Sequence, residues 1–140
     1  MDKDLALAKQ LLTTEEHTCV LCRDQQRYTS SRRGVAPLLN WLDSGTNLEG
    51  FCAADRVIGK ATAFLYCLLG VKQVYARVMS KPAVQVLQEY GIPASWDTLV
   101  EGIENRQKNG PCPMEHATRS CTTPEEALIA IREVLKRLTS

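Results

Sequence analysis

Hydrophobic residues recur at every third or fourth position in several segments, which is the spacing of one buried face of a helix. Residues 2–12 follow this spacing, with four apolar side chains on one face and two lysines outside it, and predict an amphipathic helix. Residues 37–42 predict a second, shorter helix. A C-terminal helix is predicted to start at Pro124, because Thr123 is a suitable N-cap and Glu126 completes a capping box. Its predicted buried stripe consists of Leu128, Ile131, Leu135 and Leu138.

Alternation of apolar with larger or polar residues predicts strands in other segments. Residues 18–21 form a compact β-favouring run, and residues 27–30 resume an extended pattern after a polar turn, so the two segments predict a hairpin. Residues 73–79 show the clearest alternation and predict a strand. Residues 93–99 predict a further extended segment.

Two more helices are predicted beside these strands, and both begin with polar residues. The first covers residues 57–69 and ends at Gly70, which suits a helix C-terminus. Beyond its first turn it is apolar on nearly every side, so we expect it to pack inside the domain against a sheet. Asp55 is its predicted N-cap. The second helix opens at Ser80, another predicted N-cap, and ends before Gly91.

Strands and helices alternate after the opening hairpin, and this order predicts an α/β domain with three layers, α/β/α, around a mixed sheet. Crossovers through helices make the later strands parallel neighbours. The chain shows no internal repeat, no low-complexity segment and no linker that divides it. We therefore predict that residues 1–140 form a single domain.

Composition and charge narrow the classes of partner. The hydrophobic fraction of 44% and the charged fraction of 24% are typical of folded domains. A formal net charge of +1 argues against a nucleic-acid partner, which usually requires a strongly basic face, but it leaves room for a small anionic molecule. The basic pair Arg32-Arg33 is interpreted as a solvated loop. The most apolar stretch, residues 61–71, is too short to cross a bilayer, so we expect no membrane partner and a cytoplasmic location.

The six cysteines are interpreted as free thiols, because the chain has no secretion signal and enough residues for a hydrophobic core. Cys19 and Cys22 have a metal-like spacing, but residues three apart on a strand face opposite sides. One alternative is a zinc site in which these thiols join Cys112 and His116. Our own expectation is that the protein holds no metal and no cofactor.

Two segments resemble the signatures of a bacterial family of unknown function, DUF1893: residues 53–61 (AADRVIGKA) and residues 112–115 (CPME). The similarity extends over nearly the whole chain, from about Leu5 to about Leu138. What the resemblance implies is a cytidine deaminase-like fold. It implies no activity, because the family is one of unknown function.

The deaminase-like fold allows a test for zinc chemistry. Zinc deaminases need a His or Cys ligand and a Glu at the start of one helix, and a Pro-Cys-x-x-Cys segment at the start of the next. Here the first predicted helix begins with residues 54–56 and the second with residues 80–83, and neither segment contains a zinc ligand of this pattern. In place of zinc ligands, the starts of these two helices carry three cationic residues: Arg56, Lys60 and Lys81. The sequence therefore predicts that the zinc motif is absent.

Positive charge at two predicted helix starts suggests a site for an anion. Arg56 and Lys60 are four residues apart and share a face of the first helix, whose N-terminus carries unpaired amides. Ser80 and Lys81 add a second such end at the same sheet edge. In the alternative interpretation Asp55 is only an N-cap and the cations are solvated.

The segment around Cys112 offers a second kind of chemistry. Cys112 and His116 are candidates for a thiolate–imidazole pair, with Glu115 orienting the base, and these three are the candidate catalytic residues. Two alternatives are a ligand-lining role and a simple turn. In the turn, prolines including Pro111 shape the backbone, and Cys112 and Met114 pack beneath it.

Our leading hypothesis is a small-molecule-binding domain for a nucleotide or another anionic metabolite, on a deaminase-like fold without catalytic zinc. Two alternatives remain: a thiol-dependent enzyme that uses Cys112, and a non-catalytic interaction module that forms a homo-oligomer. The predicted ligand-binding residues are Asp55, Arg56, Lys60, Ser80, Lys81, Cys112 and Glu115.

Overall fold

The computed structural model describes residues 2–104, 110 and 112–139. Pro111, which was expected to shape the turn before Cys112, lies outside these residues. The elements of the described chain are α1 (Lys3–Thr14), β1 (Cys19–Arg23), β2 (Gln26–Ser30), α2 (Ala36–Asp43), β3 (Cys52–Ile58), α3 (Lys60–Leu69), β4 (Gln73–Ser80), α4 (Lys81–Glu89), β5 (Ala94–Val100), α5 (Pro113–Thr118) and α6 (Pro124–Thr139).

The five strands form one mixed sheet in the order β2-β1-β3-β4-β5. β1 is antiparallel to both β2 and β3, whereas β3, β4 and β5 are parallel to one another. The predicted hairpin therefore lies at one edge of the sheet, and the predicted parallel crossovers build the other side. Because parallel strands share their direction, the carboxyl ends of β3, β4 and β5 lie at the same end of the sheet.

Helices cover both faces of the sheet, so the predicted three-layer α/β/α class is confirmed. α1 packs alone on one face, where Leu5, Ala8 and Leu12 meet the side chains of Val20 and Cys22. The other face carries the larger core, to which α2, α3, α4 and α6 contribute. Burying one such aliphatic side chain stabilises the fold by roughly 1.5–3 kcal/mol. Among the described residues, no helix is both long and apolar enough to cross a membrane.

The two cysteines of β1 face opposite sides of the sheet, as the strand assignment predicts. Cys19 belongs to the large core and Cys22 to the small core under α1. All six cysteines are free thiols. The spacing of Cys19 and Cys22 therefore reflects two packing positions rather than a chelating pair.

The predicted start of the central helix is wrong. Asp55 is not a helix N-cap but a residue of β3, and α3 begins at Lys60 with Gly59 as its N-cap. Tertiary pairing explains the difference, because Asp55 lies opposite Cys19 in β1 and opposite Ala76 in β4. The β-branched residues at the end of β3 also favour the extended conformation.

The other predicted helix ends agree better with the structure. Ser80 caps α4 by accepting a hydrogen bond from the Ala83 amide at 3.2 Å, and Gly70 ends α3 with a left-handed φ of 73°. At α6 the Glu126 amide donates to the Thr123 hydroxyl at 3.2 Å. The predicted stripe of α6 is wrong at Leu138, which is 62% exposed because the helix extends beyond the core.

Candidate functional site

A pocket of about 350 Å³ opens at the carboxyl end of β3. β1 is antiparallel to β3, so the first residues of β1 lie beside the last residues of β3 and form one wall. The starts of α2, α3 and α5 form the others. Four of the seven predicted ligand-binding residues line this pocket: Asp55, Arg56, Cys112 and Glu115.

Asp55 is a buried carboxyl group in the wall of the pocket. Its side chain accepts hydrogen bonds from the Tyr66 hydroxyl at 2.7 Å and the Val57 amide at 3.3 Å, and the Arg56 amide and the Cys19 thiol also stabilise its charged form. Burial raises the pKa of Asp55 to about 6, because the charged form loses its contact with water, and the hydrogen bond from Tyr66 opposes this shift only in part. Near neutral pH the pocket therefore contains a partly desolvated carboxylate.

A buried chain of hydrogen bonds fixes the orientation of Asp55. The Cys19 sulfur lies 3.0 Å from the Tyr66 hydroxyl oxygen. Since Tyr66 donates its proton to Asp55, the thiol is the remaining donor, with the Tyr66 hydroxyl and the Asp55 carboxylate as its acceptors. Burial, together with the nearby charge of Asp55, raises the pKa of Cys19 well above its ordinary value, so this cysteine is a neutral thiol and a poor nucleophile.

Glu115 of α5 occupies the N-terminus of α3, where the sequence suggested an external anion. Its carboxylate accepts hydrogen bonds from the Lys60 amide at 2.9 Å and the Ala61 amide at 3.2 Å. Burial raises the pKa of Glu115, and the two amides oppose this shift. Gly59 permits the close approach, because a Cβ atom there would overlap the carboxylate oxygen Oε1. The anion that the helix end attracts is thus the protein's own side chain.

Lys60 does not line the pocket. Its ammonium group donates to the Arg119 carbonyl oxygen at 2.8 Å, at the C-terminal end of α5. Glu115 therefore ties the start of α5 to α3, and Lys60 ties the end of α5 to the same turn of α3. Together these bonds hold α5 as one wall of the pocket.

Ser80 and Lys81 lie at the same sheet edge but outside the pocket lining. The Ser80 hydroxyl is fully buried and is used in capping α4. The Lys81 ammonium forms an exposed ion pair with Glu101 at 2.6 Å. Both groups have structural partners, so the site that the structure assembles is smaller than the one expected from the sequence.

The structure does not bring Cys112 and His116 together as a catalytic pair. Cys112 is half-buried and lines the pocket, whereas the His116 side chain is exposed on α5. Within the described residues, no hydrogen bond joins the thiol to the imidazole, and only the backbone amide of His116 contacts the Cys112 carbonyl oxygen. Cys112 therefore has the position of a lining residue.

Sequence reasoning missed Arg33, which lies with Arg56 at the exposed mouth of the pocket. In the described part of the chain neither guanidinium group takes part in an ion pair. The basic pair Arg32-Arg33 before α2 is visible in the sequence, but the sequence does not show which other residues lie near it. The structure places the start of α2 beside the end of β3, and this position brings Arg33 to the pocket.

The residues at the observed helix starts do not fit a deaminase zinc site. α3 begins with residues 59–61 and α4 with residues 80–82, and both segments lack His, Cys and carboxylate side chains. No group of three or more His, Cys, Asp or Glu side chains among the described residues could hold a metal ion. The separation of Cys19 from Cys22 also removes the basis of the four-ligand alternative.

The fold and the pocket define a three-layer α/β structure with a cavity of about 350 Å³ at the carboxyl end of β3. The chain belongs to the family described as "Domain of unknown function (DUF1893)", whose model matches residues 7–135, and the predicted family is thereby confirmed. The structure is similar to the crystal structure of a DUF1893 family protein, TM1506, from Thermotoga maritima. The TM-score is 0.85 at 26% identity, over 98% of this chain and 92% of that chain.

A weaker structural likeness links the chain to the dCMP deaminase from the cyanophage S-TIM5 in its apo form. The TM-score is 0.45 at 13% identity, over 67% of this chain and 94% of that chain. No curated protein matches the chain in sequence.

Proposed function

We propose that the protein binds a small molecule, a nucleotide or another anionic metabolite, in the pocket at the end of β3. The observation that supports this function is one cavity that combines the buried carboxylate of Asp55 with the arginines Arg33 and Arg56 at its mouth. Its volume of about 350 Å³ lies within the range of roughly 300–1,000 Å³ that small-molecule sites occupy.

Asp55 supports a functional role because its burial works against stability. A carboxyl group of raised pKa favours its neutral form in the folded protein, so the charged form destabilises the fold at neutral pH. No cationic side chain of the described residues forms an ion pair with Asp55. Buried groups with perturbed pKa values in a cleft are typical of functional sites.

Arg33 and Arg56 supply the positive charge that an anionic group requires. Both side chains are exposed at the mouth, and a guanidinium group pairs with phosphate or carboxylate through two parallel hydrogen bonds. In this proposal the anion binds at the arginines. It does not bind at the N-terminus of α3, because Glu115 already satisfies the amides there.

The two alternatives differ in the support they receive. A thiol-dependent enzyme would use Cys112, which lines the pocket, but its expected partner His116 is exposed outside the pocket lining. The homo-oligomeric interaction module stays a prediction, for which the molar mass by light scattering is the direct measurement.

We expect Arg56→Met to weaken the binding of nucleoside monophosphates in the pocket by about 10- to 150-fold, because a charge-assisted hydrogen bond contributes roughly 1.5–3 kcal/mol. Lys81→Met is the matched control. It removes a cation at the same end of the sheet whose exposed ion pair with Glu101 lies outside the pocket lining, so its affinity should stay within about twofold of the wild type. The measurement is a ¹⁵N–¹H NMR titration with a panel of nucleoside monophosphates and small carboxylates.

In the wild type the amide shifts should concentrate on the lining residues of β1, β3 and α5. Shifts confined to other surfaces would contradict the proposed site. Equal losses of affinity in Arg56→Met and Lys81→Met would show that general positive charge, rather than the mouth of the pocket, attracts the ligand.

A further inference from the structure

We propose that the ligand has two chemically opposite ends: an amidine-type edge, with two adjacent N–H donors, that pairs with Asp55, and an anionic group that pairs with Arg33 and Arg56. This inference rests on the proposed function and specifies the class of molecule that the pocket accepts. A nitrogen heterocycle of this kind, joined to a phosphate or carboxylate, carries both features.

The acceptor capacity of Asp55 is the first support. An ionised carboxylate offers about four acceptor positions, two on each oxygen. The Val57 amide donates to Oδ1 at 3.3 Å and the Tyr66 hydroxyl donates to Oδ2 at 2.7 Å. The Arg56 amide and the Cys19 thiol also lie near the carboxylate, but the amide donates to the Thr18 carbonyl oxygen at 3.1 Å and the thiol is shared with the Tyr66 hydroxyl. The carboxylate therefore keeps acceptor capacity for a ligand. Two parallel N–H donors match such a pair of oxygens in the same way that a guanidinium group does.

The rigidity of Asp55 is the second support. Its partner Tyr66 is fully buried, and the sulfur of the buried Cys19 lies 3.0 Å from the Tyr66 hydroxyl oxygen. The carboxylate is therefore held in one orientation before a ligand arrives, which reduces the entropy lost on binding. A fixed pair of acceptors discriminates by the geometry of the donors that it meets.

Part of the cavity lining is apolar, which suits a ring with apolar faces. Val35, Val57, Ile103 and Met114 belong to this lining. Small-molecule sites commonly combine such walls with a few polar groups that fix the orientation of the ligand.

The distribution of charge sets the direction of the ligand. The interior carries Asp55 and Glu115, while the arginines lie at the exposed rim. Glu115 is engaged with the amides of α3, so Asp55 is the carboxylate with capacity for a ligand. An anion placed inside would meet like charge. The donor edge therefore points inward and the anionic group outward.

Three probes measure separately how much each end of the ligand contributes to affinity. Guanosine 5′-monophosphate has both the donor pair and the phosphate, inosine 5′-monophosphate lacks the exocyclic amino donor, and guanosine lacks the phosphate. In NMR titrations at pH 7.5 we expect wild type to bind inosine 5′-monophosphate about 5- to 150-fold more weakly than guanosine 5′-monophosphate. Guanosine should also bind more weakly. Asp55→Asn should bind the two monophosphates with equal affinity but still bind guanosine more weakly than guanosine 5′-monophosphate. Arg56→Met should reduce the difference in affinity between guanosine and guanosine 5′-monophosphate, while it still discriminates between the two monophosphates.

Equal affinity of the wild type for the two monophosphates would overturn the inferred ligand class. Failure of all three probes to shift the lining amides would also overturn it. The panel of nucleoside monophosphates and small carboxylates then tests the proposed function separately. If another member of the panel binds in the pocket, the proposed function is retained and only the inferred ligand class is overturned. A dispersed spectrum for Asp55→Asn verifies that the variant is folded.

Discussion

Asp55→Asn is expected to be more stable than the wild type at pH 7.5, by up to about 3 kcal/mol, and to lose this advantage at pH 4. The burial of Asp55 raises its pKa from 3.8 to about 6. A shift of this size corresponds to roughly 3 kcal/mol of differential stability between the charged and neutral forms. Asparagine keeps the shape of the side chain and an oxygen acceptor for Tyr66, and it carries no charge to desolvate. Its NH2 group replaces the oxygen that accepts from the Val57 amide at 3.3 Å, so the figure of about 3 kcal/mol is an upper bound.

The pH dependence follows from the direction of this shift. Below about pH 3.8 Asp55 is mainly protonated in both the folded and the unfolded protein, so its ionisation does not change the free energy of unfolding. Between about pH 4 and 6 Asp55 loses its proton in the unfolded chain but still holds it in the folded protein, so the free energy of unfolding falls as pH rises. This decrease is complete above the pKa of Asp55 in the folded protein. Asp55→Asn removes this slope. The measurement is urea denaturation of both proteins between pH 4 and 8.

Asp97→Asn is the matched control for this experiment. Asp97 also accepts a hydrogen bond from a tyrosine, Tyr75, at 2.5 Å, but its side chain is exposed on β5. We expect its replacement to cause no gain in stability at pH 7.5, because water already solvates the charge. A less stable Asp55→Asn at pH 7.5, or an unchanged pH slope, would contradict the view that Asp55 is retained at the expense of stability.

Gly59→Ala is expected to destabilise the protein by about 2–4 kcal/mol, the largest loss that we predict for a single methyl group. The added Cβ would overlap Oε1 of Glu115 and force this carboxylate away from the N-terminus of α3, and it would also press on Cγ1 of Ile103. The displacement breaks two charge-assisted hydrogen bonds and leaves the Lys60 and Ala61 amides unpaired. The free energy of unfolding in urea is the quantity to measure.

Gly102→Ala provides the control, because a Cβ at Gly102 meets no heavy atom within 4 Å and requires no left-handed backbone. It should change stability by no more than about 0.5 kcal/mol. A double-mutant cycle with Glu115→Ala isolates the part of the loss that the carboxylate causes, since Gly59→Ala should become less damaging once only the contact with Ile103 remains. An undiminished loss in the Glu115→Ala background would exclude this carboxylate as the reason for glycine.

Local patterns were sufficient for much of the fold. The apolar spacing of α1 and α6, the hairpin, and the cap at Ser80 depend on neighbours within a few residues, and these predictions agree with the structure. The segment 53–61 was ambiguous, because a strand end and a helix start follow each other without a break. Pairing with β1 and β4 decides that Asp55 belongs to the strand, and such pairing joins residues distant in sequence.

The candidate site was predictable only in part for the same reason. Asp55, Arg56, Cys112 and Glu115 were predicted and do meet at one pocket. The role of Glu115 as the cap of α3 joins residues 55 positions apart, and no local pattern reports such a bond. This cap replaces the anion site expected beside Lys60.

Native mass spectrometry of gently purified protein, compared with the denatured mass, tests the central claim most directly. We predict that wild type carries a reproducible extra mass of a small molecule, and that Asp55→Asn and Arg56→Met each lose most of it while Lys81→Met keeps it. A wild type without any extra mass, or an extra mass that all three variants retain equally, would contradict the assignment of this pocket as a ligand site.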